Sequence, residues 1–208
     1  MTRDEFARLV GGVLSHVTLT RNLPGIRENG LMSAASLLAR HGSTIEIQTP
    51  RNHAASLHEG AQEVMLNHQK PLLAGRHRVA DFLEGHSLRS WAAQLDRRIF
   101  FWPRTHRREF TSSLTDRGAI AVLQCDARRL FDLAADRLDL APINTGSAMR
   151  RAAYRGDWIY VPATQSLEQF ENNRRIRGLS RRPDRVVEVS LRRDLSADET
   201  ARLFDIHL

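Results

Sequence analysis

One glutamate lies within an apolar run near the end of the chain. The run Arg185–Leu191 is typical of a β-strand, and Glu188 lies at its centre among valines. Alternate residues of a strand share a face, so the neighbours of Glu188 on its own face are Val186 and Ser190. A carboxylate in apolar surroundings needs a cation or a function, because burying its charge is costly. Two interpretations follow: an ion pair with an arginine on a neighbouring strand, or a catalytic carboxylate.

A second candidate pair comes from the first strand-like run, Val13–Thr18. His16 and Thr18 are two residues apart, so their side chains face the same way on a strand. Such a pair can hydrogen-bond the hydroxyls of a sugar bound at the surface of the sheet. The alternative is a strand that ends in two polar residues with ordinary hydrogen-bond partners.

The segment Arg98–Arg104 combines consecutive aromatic residues with a flanking arginine at each end. Phe101 and Trp102 can stack on a flat ring such as nicotinamide or a base, and Arg104 can pair with a phosphate. The alternative is a core strand whose flanking arginines extend to solvent.

A turn is predicted over Pro142–Ser147, where Asn144 and Gly146 tolerate positive φ angles. Small polar residues there can approach a ligand closely, which makes Asn144 a candidate ligand-binding residue. An ordinary hairpin turn explains the same segment.

The charge of the chain favours an anionic partner. Lysines and arginines number 31 against 24 acids, a net charge of +7, and Lys70 is the single lysine. The segment 172–185 holds six arginines and one aspartate, a local charge of +5. Its predicted phosphate contacts are Arg174, Arg175, Arg177, Arg181 and Arg182, and Trp158 or Tyr160 can stack on an unpaired base. The alternative is a solvated basic loop before the glutamate strand.

Several classes of protein are excluded by missing features. A lone Cys125 rules out an internal disulfide framework and a multi-cysteine zinc site, and a buried strand cysteine is inert. The sequence contains no phosphate-binding loop, no dinucleotide-binding glycine motif and no metallohydrolase histidine spacing. Apolar runs are too short for a membrane helix, and the first residues are unlike a signal peptide. We therefore expect a cytoplasmic protein without a metal.

The elements that must position these residues follow from hydrophobic spacing. Helices are predicted after caps at Asp4, Asn22, Ser33 and Ser87, the last continuing to Asp96. Residues 43–77 mix short helical and turn signals. Strands are predicted at 13–18, 98–102, 119–125, 158–161 and 185–191. Because helices and strands do not alternate regularly, the pattern favours one α+β domain over residues 1–208.

Taken in order, these segments resemble NAD-dependent ADP-ribosyltransferases. The resemblance is carried by residues 15–18, 22–31, 100–105 and 186–189. The chain is most similar to bacterial DNA-modifying toxins of the DarT type and, more distantly, to the tRNA 2′-phosphotransferases. It also resembles a bacterial family of similar length with a Pro-Ile-Asn-(Ser/Thr)-Gly segment. The family fold implies a split antiparallel or mixed β-sheet surrounded by helices.

The resemblance also implies roles for the candidate residues. Glu188 would hold the 2′-hydroxyl of the nicotinamide ribose and stabilise the positive charge that develops on that sugar. His16 and Thr18 would hold the adenosine-side ribose. Phe101 or Trp102 would stack near nicotinamide, and Arg104 would face the pyrophosphate.

The catalytic arginine of those toxins has no clear counterpart, and Arg51 is the nearest candidate by position. Gln69 is a polar residue that could take part in substrate binding instead. The expected activity is transfer of ADP-ribose from NAD, as co-substrate, to single-stranded DNA or RNA, with an antitoxin as a possible partner. The alternatives are a non-catalytic nucleic-acid-binding module on the same fold and an NAD glycohydrolase.

Overall fold

The computed structural model describes residues 1–41, 50–59, 62–69, 72, 79–103, 118–147, 153–176 and 186–204, and its architecture is α+β, as the sequence predicts. Seven α-helices are bounded within these ranges: α1 (Arg3–Val10), α2 (Leu23–Asn29), α3 (Ala34–Arg40), α4 (Leu88–Asp96), α5 (Ala127–Ala134), α6 (Leu167–Ile176) and α7 (Ala197–Phe204). The strands are β1 (Val13–Leu19), β2 (Ala55–Glu59), β3 (Gln62–Leu66), β4 (Ile99–Pro103), β5 (Ile120–Asp126), β6 (Leu138–Ala141), β7 (Val161–Pro162) and β8 (Glu188–Leu191).

Six of these strands form one sheet in the order β5–β1–β4–β8–β6–β7, and each neighbouring pair is antiparallel. β2 and β3 form a separate antiparallel hairpin. The sequence predicted an antiparallel or mixed sheet, and the antiparallel arrangement is confirmed for these strands. That the domain spans all of residues 1–208 stays a prediction.

The strand β4 changes its partner along its length. At its carboxyl end it pairs with β1, where Leu14 lies opposite Pro103 and Ser15 opposite Trp102. At its amino end, residues 99–101 pair with β8. Beyond Ser15, β1 continues beside β5 and no longer beside β4. We call the point where β1 leaves β4 the fork.

Alternate side chains of the sheet face two different layers. One side, the multi-helix face, carries the larger core, which receives apolar residues from α1, α2, α5, α6 and α7. The other side, the α4 face, packs against Trp91, Ala92 and Leu95 of α4. Phe101 and Val189 point into the first layer. Their chain neighbours Trp102 and Glu188 therefore point to the α4 face.

Most helix starts follow from their caps, with one shift. Ser33 and Ser87 cap α3 and α4 as predicted, each accepting a hydrogen bond from a backbone amide three residues later. The first helix begins earlier than predicted, because Thr2 and Glu5 form a capping box. Asp4, the predicted cap, forms an ion pair with Arg128 at 2.7 Å.

Asn22 occupies the N-cap position of α2 as predicted, but its side chain makes no capping hydrogen bond, which corrects that part of the prediction. Its side chain accepts from Met65 N at 2.9 Å and donates to Met65 O at 3.1 Å, so it pairs with β3 as a strand residue would. The helix α2 ends at Gly30, its C-cap residue. Gly30 has φ +87° and a Cβ there would lie 2.1 Å from Leu195 O, so only glycine fits.

Two other regions differ from the sequence prediction. Residues 158–161 form no long strand: Asp157–Ile159 is a 3₁₀ turn, and β7 is confined to Val161–Pro162. The preceding Gly156 lies so close to Glu84 O that a Cβ would be 2.7 Å away, so a larger residue does not fit there. The hairpin of β2 and β3 lies in the region where only helical and turn signals were found. No helix within the described ranges is both long and apolar enough to cross a membrane.

Candidate active site

Glu188 begins β8 and lies on the α4 face of the sheet. It is paired with Ala141 of β6, and continuing the register of β4 by one residue sets Trp102 on its other side. Its side chain is 2% exposed. The sequence therefore predicted both the strand and the burial of this carboxylate.

The groups that hold the Glu188 carboxylate come from Thr145, one residue after the predicted ligand residue Asn144. The Thr145 hydroxyl donates a short hydrogen bond to Oε1, and the Thr145 backbone amide donates to Oε2 at 3.3 Å. Thr145 is fully buried. A hydroxyl and an amide thus satisfy both oxygens of the carboxylate.

Thr145 is itself held from three further directions. Its carbonyl oxygen accepts from Trp91 Nε1 at 3.1 Å and from Arg155 Nη1 at 3.0 Å. Its hydroxyl oxygen accepts from the Tyr160 hydroxyl at 3.0 Å. We call Glu188, Thr145, Tyr160, Arg155 and Trp91 the Glu188 cluster.

The surroundings of Glu188 bring the pKa of its carboxyl group close to neutral pH. Burial raises its pKa from 4.5 to about 7, while the hydrogen bonds from Thr145 and the charges of Arg155 and Arg98 act to lower it. Among the described residues, no cation lies within ion-pair distance of this carboxylate. The ion-pair interpretation from the sequence therefore has no support in the described part of the chain. A carboxyl group with this pKa can hold or release a proton near neutral pH.

The Glu188 cluster is supported by further contacts to the Tyr160 ring. The Arg98 guanidinium lies 3.6 Å from the centre of the Tyr160 ring. It also donates to Asp139 at 2.6 Å and to Ser190 at 2.9 Å. Trp91 also stacks on Tyr160, with 6.0 Å between the centres of the two rings. Burial raises the pKa of the Tyr160 hydroxyl, so it remains a proton donor.

His16 lies at the fork, away from the Glu188 cluster. Its Nδ1 is 3.0 Å from Phe100 O, and its ring lies 5.9 Å from that of Phe101 on the multi-helix face. Burial lowers the pKa of His16, so its imidazole is neutral at physiological pH. The structure therefore brings His16 to Phe101 and not to Glu188.

Thr18 lies further along β1, next to a small cavity. It accepts a hydrogen bond from Asn22 Nδ2 at 3.1 Å. The cavity has a volume of about 60 Å³ and is lined by Val17, Thr18, Leu19, Asn22, Ala54, Met65 and Asn67. This volume is that of a few water molecules and is too small for a sugar. The predicted pair of His16 and Thr18 is not joined with Glu188 in one cleft.

Arg51 forms a buried ion pair on α4. Its guanidinium binds Asp96 through two hydrogen bonds of 2.6 and 2.7 Å, and its Nε donates to Asn67 O. Gln69 donates to Asp96 Oδ1 at 3.1 Å and accepts from the Arg51 amide at 2.9 Å. We call Arg51, Asp96 and Gln69 the Asp96 cluster. Its geometry is that of a structural clamp between the 50–69 region and α4.

The remaining predicted ligand residues have separate positions. Asn144 is exposed, and its Oδ1 accepts from Gly146 N at 3.1 Å, which closes its own turn. Trp102 lies on the same face as Glu188, 7% exposed. Arg104 lies outside the described residues.

The basic segment is partly helical, which corrects the loop prediction for its first residues. Residues 172–176 form the last turns of α6, where Arg174 is 5% exposed and Arg175 is exposed. Only Arg175 of this pair is open to a phosphate. Arg177, Arg181 and Arg182 lie outside the described residues.

The aromatic residues proposed to stack on a base are less open than expected. Tyr160 is 7% exposed and belongs to the Glu188 cluster. Trp158 is half-buried, and its Nε1 donates to Glu84 at 2.7 Å. Base stacking on Tyr160 is therefore incompatible with this structure.

Ser15 is an unexplained polar residue of the same row. It lies opposite Trp102, so it shares the α4 face with Trp102 and Glu188. It is fully buried, and its hydroxyl has no hydrogen-bond partner among the described residues. An unsatisfied buried hydroxyl costs free energy, so its position calls for a partner.

Metal and thiol chemistry have no visible centre in the described ranges. No group of three or more histidine, cysteine, aspartate or glutamate side chains comes together there. Cys125 is a buried free thiol on β5, and burial raises its pKa to about 12. Burial of Cys125 is confirmed, and a raised pKa disfavours the reactive thiolate.

The fold and this geometry define an α+β protein with a buried, hydroxyl-bound carboxylate on an antiparallel sheet. Residues 12–201 match the family model described as "Family of unknown function (DUF7002)", and the chain belongs to this family. The matched range includes all of the Glu188 cluster and the Asp96 cluster. No curated protein matches the chain.

Proposed function

We propose that the protein is an NAD-dependent ADP-ribosyltransferase in which Glu188 is the catalytic carboxylate. The observation that carries this proposal is the pair of donors on Glu188, the hydroxyl and amide of Thr145. A ribose hydroxyl can replace the Thr145 hydroxyl with the same donor geometry. A carboxylate that binds a sugar hydroxyl in a dry site is the group that transfer of a sugar requires.

Glu188 would act in two ways during the reaction. The ionised carboxylate stabilises the positive charge that develops on the ribose as the bond from C1′ to nicotinamide breaks. Nicotinamide leaves as a neutral molecule with the electron pair of that bond. A nucleophilic atom of the acceptor forms the new bond to C1′, and its proton passes to Glu188 or to water.

The row of Ser15, Trp102 and Glu188 supports a ligand lying across three neighbouring strands on the α4 face. Adjacent strands are about 4.8 Å apart, so the row spans about 10 Å. It offers a hydroxyl without a partner among the described residues, an aromatic ring and a carboxylate in line, all three buried. These groups match the amide, the flat ring and the sugar hydroxyl of a nicotinamide riboside.

The roles of the other predicted residues are more limited in this proposal. His16 caps the carbonyl that the fork exposes on β4, and binding of the adenosine-side ribose by His16 and Thr18 stays a prediction. Arg51 holds α4 through Asp96. Contacts of Phe101, Arg104 and Asn144 to NAD are likewise predictions.

A single-stranded nucleic acid is the acceptor that we propose. The net charge of +7 and the local charge of +5 in residues 172–185 favour a polyanion. Within the described part of that segment, Arg175 is the arginine whose side chain is exposed.

Labelled NAD gives the direct test. The protein is incubated with NAD labelled in its adenylate phosphate and, separately, with single-stranded DNA, RNA and protein pools. We expect label in a nucleic-acid pool with the wild type and at least 1,000-fold less with Glu188→Gln, judged by circular dichroism to be folded. Label in the protein pool alone would show that the acceptor is a protein and not a nucleic acid. Nicotinamide release without label in any pool would indicate an NAD glycohydrolase.

The acceptor surface has its own test, with a charge-matched control. Arg175, Arg181 and Arg182 are changed together to Ser, and the control changes the exposed residues Arg27, Arg89 and Arg193 to Ser. Affinity for a short single-stranded DNA and the slope of its salt dependence should fall in the first variant and remain in the control. Equal affinities and slopes in the two variants would refute the nucleic-acid surface.

One observation favours a second candidate, a nucleic-acid-binding module without catalysis. Glu188 is 2% exposed and both its oxygens are satisfied within the protein. In that case the wild type releases no nicotinamide, and Glu188→Gln binds nucleic acid as the wild type does.

A further inference from the structure

Thr145 uses all of its polar atoms in the Glu188 cluster. Its amide and hydroxyl donate to Glu188, and its carbonyl oxygen accepts from Trp91 and Arg155. Its hydroxyl oxygen also accepts from Tyr160. A turn residue with no chemistry of its own is therefore bound from β8, from α4 and from the chain on either side of the 3₁₀ turn Asp157–Ile159.

The direction of these hydrogen bonds is fixed by the donors available. The Tyr160 hydroxyl donates to Thr145 Oγ1, so the Thr145 proton is left to point elsewhere. The acceptor beside it is Glu188 Oε1. The result is a directed chain from Tyr160 through Thr145 to Glu188.

The start of this chain cannot turn away. The Tyr160 ring is 7% exposed and lies between the Arg98 guanidinium and the Trp91 ring. Arg98 is in turn held by Asp139 and Ser190. The orientation of the Tyr160 hydroxyl is therefore set by packing on two sides.

We infer that Tyr160 and Thr145 are positioning residues, forming a hydrogen-bonded relay that fixes the orientation and protonation of the Glu188 carboxylate. This inference rests on the proposed function for its catalytic meaning. A ribose hydroxyl that enters the site takes the place of the Thr145 proton on Glu188, while the Thr145 amide continues to hold Oε2. The relay thus keeps the carboxylate oriented before the substrate arrives.

The charged groups that act on Glu188 are kept constant in the test. They are Arg155 and Arg98, the residue before β4, and Asp139 of β6 acts on Tyr160. Three variants leave the charged members untouched. Thr145→Val removes the hydroxyl at similar volume, Thr145→Ser keeps it, and Tyr160→Phe removes the phenol oxygen but keeps the stacked ring. Tyr154→Phe removes the hydroxyl of an exposed tyrosine and is the matched control.

The first readout needs no NAD: the pH titration of the Glu188 carboxyl carbon by ¹³C NMR. Since the Thr145 hydroxyl stabilises the ionised form, Thr145→Val should move the titration midpoint up by about one pH unit. Tyr160→Phe should move it in the same direction by less. Thr145→Ser and Tyr154→Phe should leave it unchanged.

The second readout is the pH profile of nicotinamide release. The alkaline shift of its rising limb should match the NMR midpoint in each variant, and Thr145→Ser should restore the wild-type profile. An unchanged Glu188 midpoint in both Tyr160→Phe and Thr145→Val overturns the relay even if the wild type is an enzyme. Shifted midpoints with no turnover in any protein support the relay and refute the proposed function. If Thr145→Val fails to fold, Tyr160→Phe decides the outcome.

Discussion

Two buried carboxylates, Asp96 at the end of α4 and Glu188 on the sheet, are held in different ways. Asp96 is bound by Arg51 through two short hydrogen bonds and by Gln69. Glu188 is bound by a neutral hydroxyl and a neutral amide, with no ion pair among the described residues. The fully paired carboxylate is committed to structure. The unpaired one keeps a raised pKa and the capacity to react.

The same helix supplies both clusters. Asp96 of α4 faces Arg51, and Trp91, about one and a half turns earlier, contacts Thr145. The Asp96 cluster therefore fixes the helix that supports the Glu188 cluster. Changes in the first should act on stability, and changes in the second should act on chemistry.

The largest expected effect is loss of stability when the paired carboxylate is altered. Asp96→Asn leaves the buried Arg51 charge uncompensated and should lower the free energy of unfolding by about 3–5 kcal/mol. Asp157→Asn is the control, because the Asp157 carboxylate is exposed and loss of its contact with His86 should cost below about 1 kcal/mol. Urea unfolding measures both. Equal small losses would mean that the Asp96 pair does not stabilise α4.

The next effect concerns pH and the unpaired carboxylate. The folded-state pKa of Glu188 lies above its usual 4.5, at about 7, so the folded protein binds this proton more tightly than the unfolded chain. Its contribution to stability is present below pH 4.5, falls as the pH rises to about 7 and is then constant. The total fall is on the order of 3 kcal/mol.

Glu188→Gln removes that pH dependence. Urea unfolding at pH 5 and pH 8 should show the variant gaining stability relative to the wild type at the higher pH. Asp139→Asn, which alters a buried carboxylate paired with Arg98, is the comparison in which no such gain is expected. A constant difference between Glu188→Gln and the wild type across this range would show that Glu188 is not neutral at low pH in the folded state.

Replacement of the whole ion pair separates structure from catalysis at Arg51. The double variant Arg51→Met and Asp96→Leu removes both charges and should keep the free energy of unfolding within about 1–2 kcal/mol of the wild type. Nicotinamide release should then be retained. A stable double variant without turnover would make Arg51 a catalytic residue, as its position in the sequence first indicated.

The smallest effect is expected at Ser15. Ser15→Ala removes a buried hydroxyl that has no partner among the described residues, and it should raise the free energy of unfolding by about 1 kcal/mol. Ser190→Ala is the matched control on the same face, because its hydroxyl accepts from Arg98 and its loss should be destabilising. NAD affinity by calorimetry should fall in Ser15→Ala. Unchanged affinity would remove Ser15 from the ligand site.

The sequence predicted those features that depend on local pattern. Glu188 was found because a carboxylate among valines contradicts its surroundings, and the caps at Ser33 and Ser87 were found because side-chain capping is a local effect. The turn at Asn144 was also local. Its neighbour Thr145 was missed, because threonine in a turn gives no signal of a partner 43 residues later.

The features that were missed depend on contacts between distant parts of the chain. Asn22 has the residue type of a helix cap, but its partner Met65 lies 43 residues away and overrides that preference. The Arg51–Asp96 pair joins residues 45 apart. The side of the sheet on which His16 lies depends on how β1 pairs with β4 and β5. The spacing of residues within β1 alone does not predict that pairing. Strand alternation gave the face that His16 shares with Thr18, but it does not relate that face to Glu188.

Release of nicotinamide from NAD as a function of pH, by the wild type and Glu188→Gln side by side, tests the central claim most directly. We predict that the wild-type rate rises with pH through the Glu188 pKa of about 7 and then levels off. Glu188→Gln should be at least 1,000-fold slower at every pH while unfolding at the same urea concentration or higher. A wild type that releases no nicotinamide, or a Glu188→Gln variant that matches its rate, would contradict the assignment of Glu188 as the catalytic carboxylate.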